Sequence, residues 1–313
     1  MAVLRVMTYN VRYFAHPTRG IASTASGIRA IANGLAALDP RPDLVCLQEV
    51  ETRSLRSRVA AGPTGDEPQL ERLMERLHAA LQAQGAKTRY DAYYFPAHTY
   101  RLGPLTNIYT TGLAVLAKTG IKVLAHNADK PHDITHRTRL VRLKQTRIAA
   151  HVAFEHRSGA RVEIFNTHLS LPSFFKSEFW TGKARLGYGK NQLEEAKQLA
   201  KFIESQRQTD HYLVVGDFNS LPGSPVDEYL RGERGLTEAR RVIAGASPGA
   251  PGTEAFSTAG FMNLRMHIDH LYGSPAIEWV DMHDTHGFDG KGLFAGLSDH
   301  VPLIARFRLS GAG

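Results

Sequence analysis

Two apolar, β-rich runs near the N-terminus, Val3–Thr8 and Asp43–Val50, enclose a segment in which Ile28, Ile31, Leu35 and Leu38 recur at helical spacing. Strand, helix and strand in that order demand a sheet covered by helices. Ser23 or Ser26 is a candidate N-cap for the helix, and Pro40 lies just past its end. Leu70, Leu73, Leu77 and Leu81, after Pro68, predict a second amphipathic helix. The pattern then changes. Tyr90–Phe95, Gly112–Ala117, Ile121–Ala125, Arg147–Phe154 and Arg161–Thr167 read as successive strands, the last two joined by the turn signal His156-Arg157-Ser158-Gly159. Leu193, Ala196, Ala200 and Ile203 predict a helix, Tyr212–Val215 a strand and Val226–Leu230 a short helix. Residues 244–253, rich in Gly, Pro, Ser and Ala, read as loop. Ile268–Tyr272, Ile277–Met282 and Val301–Leu309 close the chain as strands. No composition break or internal repeat divides it. The expectation is one α/β domain over residues 1–313, with mostly antiparallel sheets and helices outside.

Composition narrows the partners. Lys and Arg number 38 against 30 Asp and Glu, a net charge of +8 over 313 residues. A basic balance favours polyanions such as nucleic acid or anionic headgroups; a basic surface that serves solubility is the alternative. The single cysteine, Cys46, lies inside the apolar run Leu44–Leu47. It excludes an intramolecular disulfide and reads as a buried thiol. The N-terminus runs straight into a strand, and no apolar run reaches the roughly 20 residues that span a bilayer. The chain reads as cytoplasmic, although a trimmed secreted chain would read the same.

Polar residues recur where apolar strands end: Asn10, Glu49, His168, Asp217 with Asn219, Asp269 with His270, and Asp299 with His300. One such residue is commonly a turn or cap. The recurrence, rich in Asp, Asn, Glu and His, suits a shared cleft on a rigid scaffold. Carboxylate and amide oxygens are hard ligands that favour Mg²⁺ or Mn²⁺, and Glu49 with Asp299 would suffice beside a substrate phosphate. Histidines paired with carboxylates can be held charged or oriented as bases. The inventory suits metal-assisted hydrolysis of a phosphate ester.

In order, Thr8-Tyr9-Asn10-Val11, Leu47-Gln48-Glu49-Val50, Asn166-Thr167-His168-Leu169, Gly216-Asp217-Phe218-Asn219, Ile268-Asp269-His270 and Leu297-Ser298-Asp299-His300-Val301-Pro302-Leu303 resemble the motif series of the endonuclease/exonuclease/phosphatase superfamily. That group includes deoxyribonuclease I, exonuclease III-like repair nucleases, neutral sphingomyelinases and inositol-polyphosphate 5-phosphatases. The resemblance implies a four-layered α/β sandwich, two mostly antiparallel sheets packed face to face with helices outside. It implies that Asp217 activates or orients the attacking water and that Asn219 and Asn10 fix substrate phosphate. Glu49 would be the main metal ligand, with Asn10 and Asp299 near the metal. His300 would contact the scissile phosphate as base or transition-state stabiliser, with Asp269 holding its imidazole. His168 would serve the leaving-group side or a second phosphate oxygen. Relatives pair the His168-type histidine with a glutamate on a preceding strand, and the corresponding region here, Asn107–Gly112, has no acid. His270 reads as structural, Gln48 as support behind Glu49, and Phe218 as pointing into the core.

Substrate choice rests on loops. Arg147 opens a strand where deoxyribonuclease-like members place an arginine on the phosphate. Residues 129–147 hold Lys130, Arg137, Arg139, Arg142 and Lys144 as well, a basic lip suited to a nucleic-acid backbone. Residues 171–190 interleave Phe174, Phe175, Phe179, Trp180 and Tyr188 with Lys176, Lys183, Arg185 and Lys190. Such a stretch can stack bases, dip into a membrane interface, or pack onto the domain. His126, His132 and His136 read as a solvated loop rather than a metal site. The resulting expectation is a monomeric, Mg²⁺-dependent endo- or exonuclease acting on DNA or RNA, with Mn²⁺ as a substitute ion. The alternative is a sphingomyelinase-like phospholipid phosphodiesterase or an inositol-phosphate phosphatase. A catalytically inert binding module would require loss of key residues, and all are present.

Overall fold

The parallel neighbours β1 (Val3–Asn10) and β2 (Leu44–Glu51) are joined through helix α1 (Thr24–Ala37) in the computed structural model, as the first strand-helix-strand pattern requires. The structure describes residues 3–14, 24–51, 69–101, 107–137, 145–156, 159–171, 186–246, 257–261, 264–283, 285, 288 and 291–310. Helix α2 (Gln69–Ala83) follows, then β3 (Tyr90–Arg101), β4 (Asn107–Lys118), β5 (Ile121–His126), β6 (His132–Asp133), β7 (Ile148–His156) and β8 (Arg161–His168). Helix α3 (Lys190–Gln206) carries the chain to β9 (Tyr212–Asp217), which lies parallel to β8. Then come α4 (Pro225–Glu228), β10 (Thr237–Glu238), α5 (Ala239–Ala246), β11 (Ala259–Phe261), β12 (Leu264–Met266), β13 (Asp269–Gly273), β14 (Ile277–His283) and β15 (Leu303–Leu309).

One sheet runs β14-β15-β1-β2-β4-β3, and the other β10-β13-β9-β8-β7-β5 with β6 on β7. Each has one parallel pair near its centre, formed by a helical crossover; the other pairings are antiparallel. Leu4, Val6, Leu44, Cys46 and Val115 of the first sheet share a buried cluster with Val152, Phe154, Ile164, Leu213 and Val215 of the second. The alternate residues Met7, Val45 and Leu47 pack under α1 and α2. Phe165 and Val214 pack under α3 through Leu199, Phe202 and Ile203. The result is the four-layered α/β sandwich, helices outside and two sheets face to face. Strands buried on both faces explain why β1 and β2 read as continuous apolar runs. Cys46 is fully buried, and burial pushes its thiol pKa up, so it acts as a small hydrophobe.

Three details differ from the sequence expectation. Residues 244–246, read as loop, complete α5, whose Ala239 and Ile243 reach the inter-sheet core. The expected short helix at Val226–Leu230 begins at Pro225, capped by Ser224, and loosens into a π turn from Tyr229. His126 and His132 belong to short strands rather than a loop, and lie against Tyr93 and Phe202 respectively. Among the described residues, no helix is long and apolar enough to cross a membrane.

Candidate active site

Strand alternation decides which side chains meet. On β1, Leu4 and Val6 face the other sheet, so Thr8 and Asn10 follow on that face. On β8 and β9, Ile164 and Val215 likewise lead to Asn166, His168 and Asp217. Leu271 on β13 places Asp269 on the same face. The site is therefore the continuation of the inter-sheet space beyond the apolar core, where the strands turn polar.

Gln48 and Asn166 form the floor between core and cleft. Gln48 Nε2 donates to Asn166 Oδ1 (2.8 Å) and Thr8 Oγ1 (3.0 Å), while Asn166 Nδ2 donates to the Leu47 carbonyl (3.1 Å). Both amides are fully buried, and the pair ties β2 to β8 across the sheets. Gln48, expected as support behind Glu49, instead bonds Thr8 and Asn166. Glu49 would alternate away from the cleft, but a register shift between Leu47 and Val50, with Glu49 at φ 55°, turns its carboxylate back.

Asp217 is the convergence point. In register it stands beside His168 on β8 and opposite Asp269 on β13. Its Oδ2 lies 3.0 Å from Asn10 Nδ2, 3.4 Å from His168 Nε2 and 3.8 Å from His300 Nε2. Its Oδ1 accepts from the Asn219 backbone N–H at 2.9 Å, closing the Asp-Phe-Asn turn. Gly216, at φ 140°, leaves no room for a side chain: a Cβ there would stand 2.0 Å from the Thr167 carbonyl oxygen. Asn219 takes a left-handed φ of 48° and donates to the Leu169 carbonyl (2.9 Å). Between them, Phe218 is fully buried in the core beneath α3, as expected.

His300 enters from the loop before β15. Ser298 Oγ donates to the Asn10 carbonyl (2.9 Å) and accepts from the His300 N–H (3.2 Å), fastening that loop to β1. Asp299 pairs with Arg12 (3.3 Å), a partner that sequence reasoning did not identify. Asn10 fixes its own orientation: Oδ1 accepts from the Arg12 N–H (3.0 Å), and Nδ2 donates to Asp217 and to Glu49 Oε1 (3.3 Å). It presents an amide NH₂, not an oxygen, to the two carboxylates; metal ligation through Asn10 would require this amide to turn. Arg147, immediately before β7, is buried, and its Nε has no hydrogen-bond partner among the described residues. It lines a small cavity with Glu49 and His168. His270 faces away, bonding the Ser220 carbonyl through Nε2 (2.8 Å).

These positions set the charges. Burial, reinforced by Asp269, pushes the Asp217 carboxyl up to about 7. Burial opposes a charge on His300, but Asp269, Asp217 and Asp299 prevail and push it up to about 10. His168 is held well below the usual histidine value by burial, Arg147 and His300. Burial also raises the Glu49 carboxyl, offset by His300 and Asn10. The site therefore holds an imidazolium at His300 and a neutral imidazole at His168, with Asp217 poised between acid and base.

The donor set also fits a hard divalent cation. Glu49 projects into the cleft, and Asp269 Oδ1 is buried without a hydrogen-bond partner. Ligand atoms of Asp217 and Asp269 lie within 4.8 Å of one another, and His300, held charged, borders them without a lone pair to offer.

The model of the endonuclease/exonuclease/phosphatase family matches residues 7–300. The chain belongs to this family. It is a divalent-metal-dependent phosphoesterase with a deoxyribonuclease I-like fold. Solved structures agree on the fold. An endonuclease/exonuclease/phosphatase family protein from Leptotrichia buccalis is 15% identical, with a TM-score of 0.66 over 98% of this chain and 100% of that one. The human Nocturnin catalytic domain with bound sulfate anion is 19% identical, with a TM-score of 0.61 over 98% and 94%. TDP2 from Caenorhabditis elegans is 17% identical, with a TM-score of 0.57 over 98% and 74%. No curated protein matches the chain.

Proposed function

We propose that this phosphoesterase is a Mg²⁺-dependent nuclease that hydrolyses phosphodiester bonds of DNA or RNA. The observation that carries the reading is the convergence of Asn10, His168 and His300 on one buried oxygen, Asp217 Oδ2. That oxygen would take the proton of the attacking water, its affinity raised by burial. His300, held charged by Asp269, would stabilise the negative charge that develops on the phosphorus oxygens. His168 and Arg147 would contact a second phosphate oxygen, the latter with an uncommitted guanidinium nitrogen. Asn219, fixed by the Asp217 turn and by its bond to the Leu169 carbonyl, would contact phosphate through its remaining amide hydrogen. Glu49 and Asp299 would hold the Mg²⁺, or Mn²⁺ in its place. A bound cation would polarise the phosphoryl oxygen and offset charge in the transition state.

The preference for nucleic acid rests on the net charge of +8 and on Arg147 reaching the cleft. Of the lip, Arg137 pairs with Asp133 (2.5 Å), while Arg139, Arg142 and Lys144 lie outside the described residues. In the aromatic insertion, Phe174, Phe175, Phe179 and Trp180 also lie outside them. Leu171 and Tyr188 at its two ends are exposed, which keeps the lipid reading as a second candidate.

The test is a parallel rate assay with Mg²⁺, Mn²⁺ or EDTA on supercoiled plasmid, single-stranded oligonucleotide, sphingomyelin liposomes and a soluble inositol polyphosphate, with Asp217→Ala as blank. Metal-dependent nicking that the variant lacks supports the nuclease. Turnover on lipid or inositol phosphate alone overturns it.

A further inference from the structure

Behind β13, on the face opposite the catalytic cleft, a cavity of ≈ 270 Å³ is lined by Pro222, Asp227, Glu238, Arg240, His267 and His270 among others. Glu238, His267 and His270 are all buried and bring ligand atoms within 4.8 Å of one another. Three observations describe what the cavity lacks. His270 Nε2 lies 2.8 Å from the Ser220 carbonyl, which can only accept, so Nε2 carries a proton and Nδ1 is the ring nitrogen left to face Glu238. Nδ1 lies 3.8 Å from Glu238 Oε1, too far for a direct hydrogen bond. Both atoms are buried without a hydrogen-bond partner. A carboxylate oxygen and an imidazole nitrogen so placed in a dry site call for a positive charge between them, which either a second ring proton or a metal ion would supply.

We propose that Glu238, His267 and His270 form a second metal site, distinct from the catalytic one, for a borderline divalent ion of the Zn²⁺ class.

The chemistry favours that class over Mg²⁺. Two imidazoles and one carboxylate suit Zn²⁺ or Co²⁺, whereas Mg²⁺ prefers all-oxygen octahedral surroundings. Zn–N and Zn–O bonds of about 2.0–2.2 Å set donors roughly 3.4 Å apart in a tetrahedron, so the observed 3.8 Å needs only a small contraction. The carbonyl behind His270 is the kind of outer partner that fixes a ligating tautomer. Glu238 is braced too: its Oε2 accepts from the Arg241 N–H at 2.8 Å. The cavity leaves space for water as a fourth ligand. Arg240 is the competitor. Its Nη1 lies 2.8 Å from His267 Nδ1, and it also feels the charge of Glu238. A metal ion bound at His267 Nδ1 would have to displace this guanidinium. A bound ion would join β10 to β13 and, through Ser220, brace the turn that carries Asn219.

The experiment titrates the untagged full chain with Co²⁺ in excess Mg²⁺, following ligand-field absorption and the shift in Tm. One Co²⁺ per chain is expected, with histidine-ligand absorption. His267→Ala and the near-isosteric Glu238→Gln should weaken Co²⁺ binding at least about tenfold, a loss near 1.4 kcal/mol. Arg240→Ala should strengthen it, and Asp217→Ala should leave it unchanged. Circular dichroism checks that each variant is folded. Absence of Co²⁺ binding, indifference to Glu238→Gln, or loss in Asp217→Ala alone overturns the site. None of these readouts uses nuclease activity, so failure here and failure of the nuclease assignment remain separate results.

Discussion

His300 Nδ1 donates to Asp269 Oδ2 at 2.8 Å, so the ring that faces Asp217 is held from behind by a second, almost fully buried carboxylate. This pair does two things at once. It fixes the ring so that Nε2 points into the cleft, and it supplies the negative charge that keeps the ring protonated. Asp269→Asn keeps the shape but removes the charge. The expected result is a fall in kcat of about 10²–10⁴-fold with KM nearly unchanged, because the loss falls on transition-state charge. Steady-state kinetics at neutral pH check it, and an unaltered kcat would remove Asp269 from the mechanism.

Glu49 offers a separable test. Its carboxylate reaches the cleft only because β2 bulges there, and it accepts a hydrogen bond from Asn10 Nδ2. Glu49→Gln retains size and hydrogen bonding but removes the charge a hard cation requires. The midpoint of a Mg²⁺ activation titration should rise at least about tenfold, close to 1.4 kcal/mol of binding. An unchanged midpoint would take Glu49 out of the metal site.

Gly216 tests backbone geometry rather than charge. At φ 140°, with the Thr167 carbonyl oxygen 2.0 Å from where a Cβ would stand, alanine fits only if β9 moves away from β8. Strain of this kind costs about 1–3 kcal/mol. It also moves Asp217 relative to His168, its partner in register. Gly216→Ala should therefore lower both denaturant midpoint and kcat. Full activity in a destabilised variant would show that the turn tolerates the shift.

Much of this was legible in the sequence because the two periodicities are honest where both faces of a strand are buried. Asn10, His168 and Asp217 each end an apolar strand, so the change from apolar to polar marked the mouth of the cleft. The Gly-Asp-Phe-Asn turn was legible for the same reason, since Gly216 permits what its neighbours cannot. What escaped depended on non-local geometry. Glu49 has a left-handed φ that no compositional sign announces. The Arg12–Asp299 pair joins opposite ends of the chain. The floor amide Asn166 stood inside a quoted motif, yet its bond to Gln48 crosses between sheets. Helix α5 is only eight residues long, and its last turn lies at the start of the Gly-, Pro- and Ser-rich run 244–253 that reads as loop.

The Gln48–Asn166 pair should behave as a unit. Asn166→Ala removes the shortest bond of Gln48 Nε2, which keeps Thr8 Oγ1 and the Cys46 carbonyl, and takes its amide from the buried Leu47 and Ala114 carbonyls, a loss of about 1–3 kcal/mol. Gln48→Ala strands Asn166 Oδ1 outright. The double variant should cost clearly less than the sum of the two, because one bond cannot be lost twice. A double-mutant cycle in urea measures this; strict additivity would show that the amides act independently.

Asp227 gives the pH dependence of stability. Its carboxylate accepts from Arg231 Nε (3.0 Å), the Gly223 N–H (2.7 Å) and Tyr272 Oη (2.9 Å), and is almost fully buried. Burial raises its pKa, but Arg231 and the Gly223 N–H outweigh that, and the folded value lies below the ordinary one. A depressed carboxyl contributes stability that is complete above its unfolded pKa, about 3.9, and is lost as pH falls through the folded value. Asp227→Asn should thus lower stability by about 1.5–3 kcal/mol at pH 7, the worth of a hydrogen bond to a charged group. The difference should hold down to about pH 5 and narrow below about pH 4, as the wild type loses what the variant never had. Paired urea unfolding curves from pH 7 to pH 3 measure it. A gap that persists undiminished in acid would assign the cost to shape rather than to the charge.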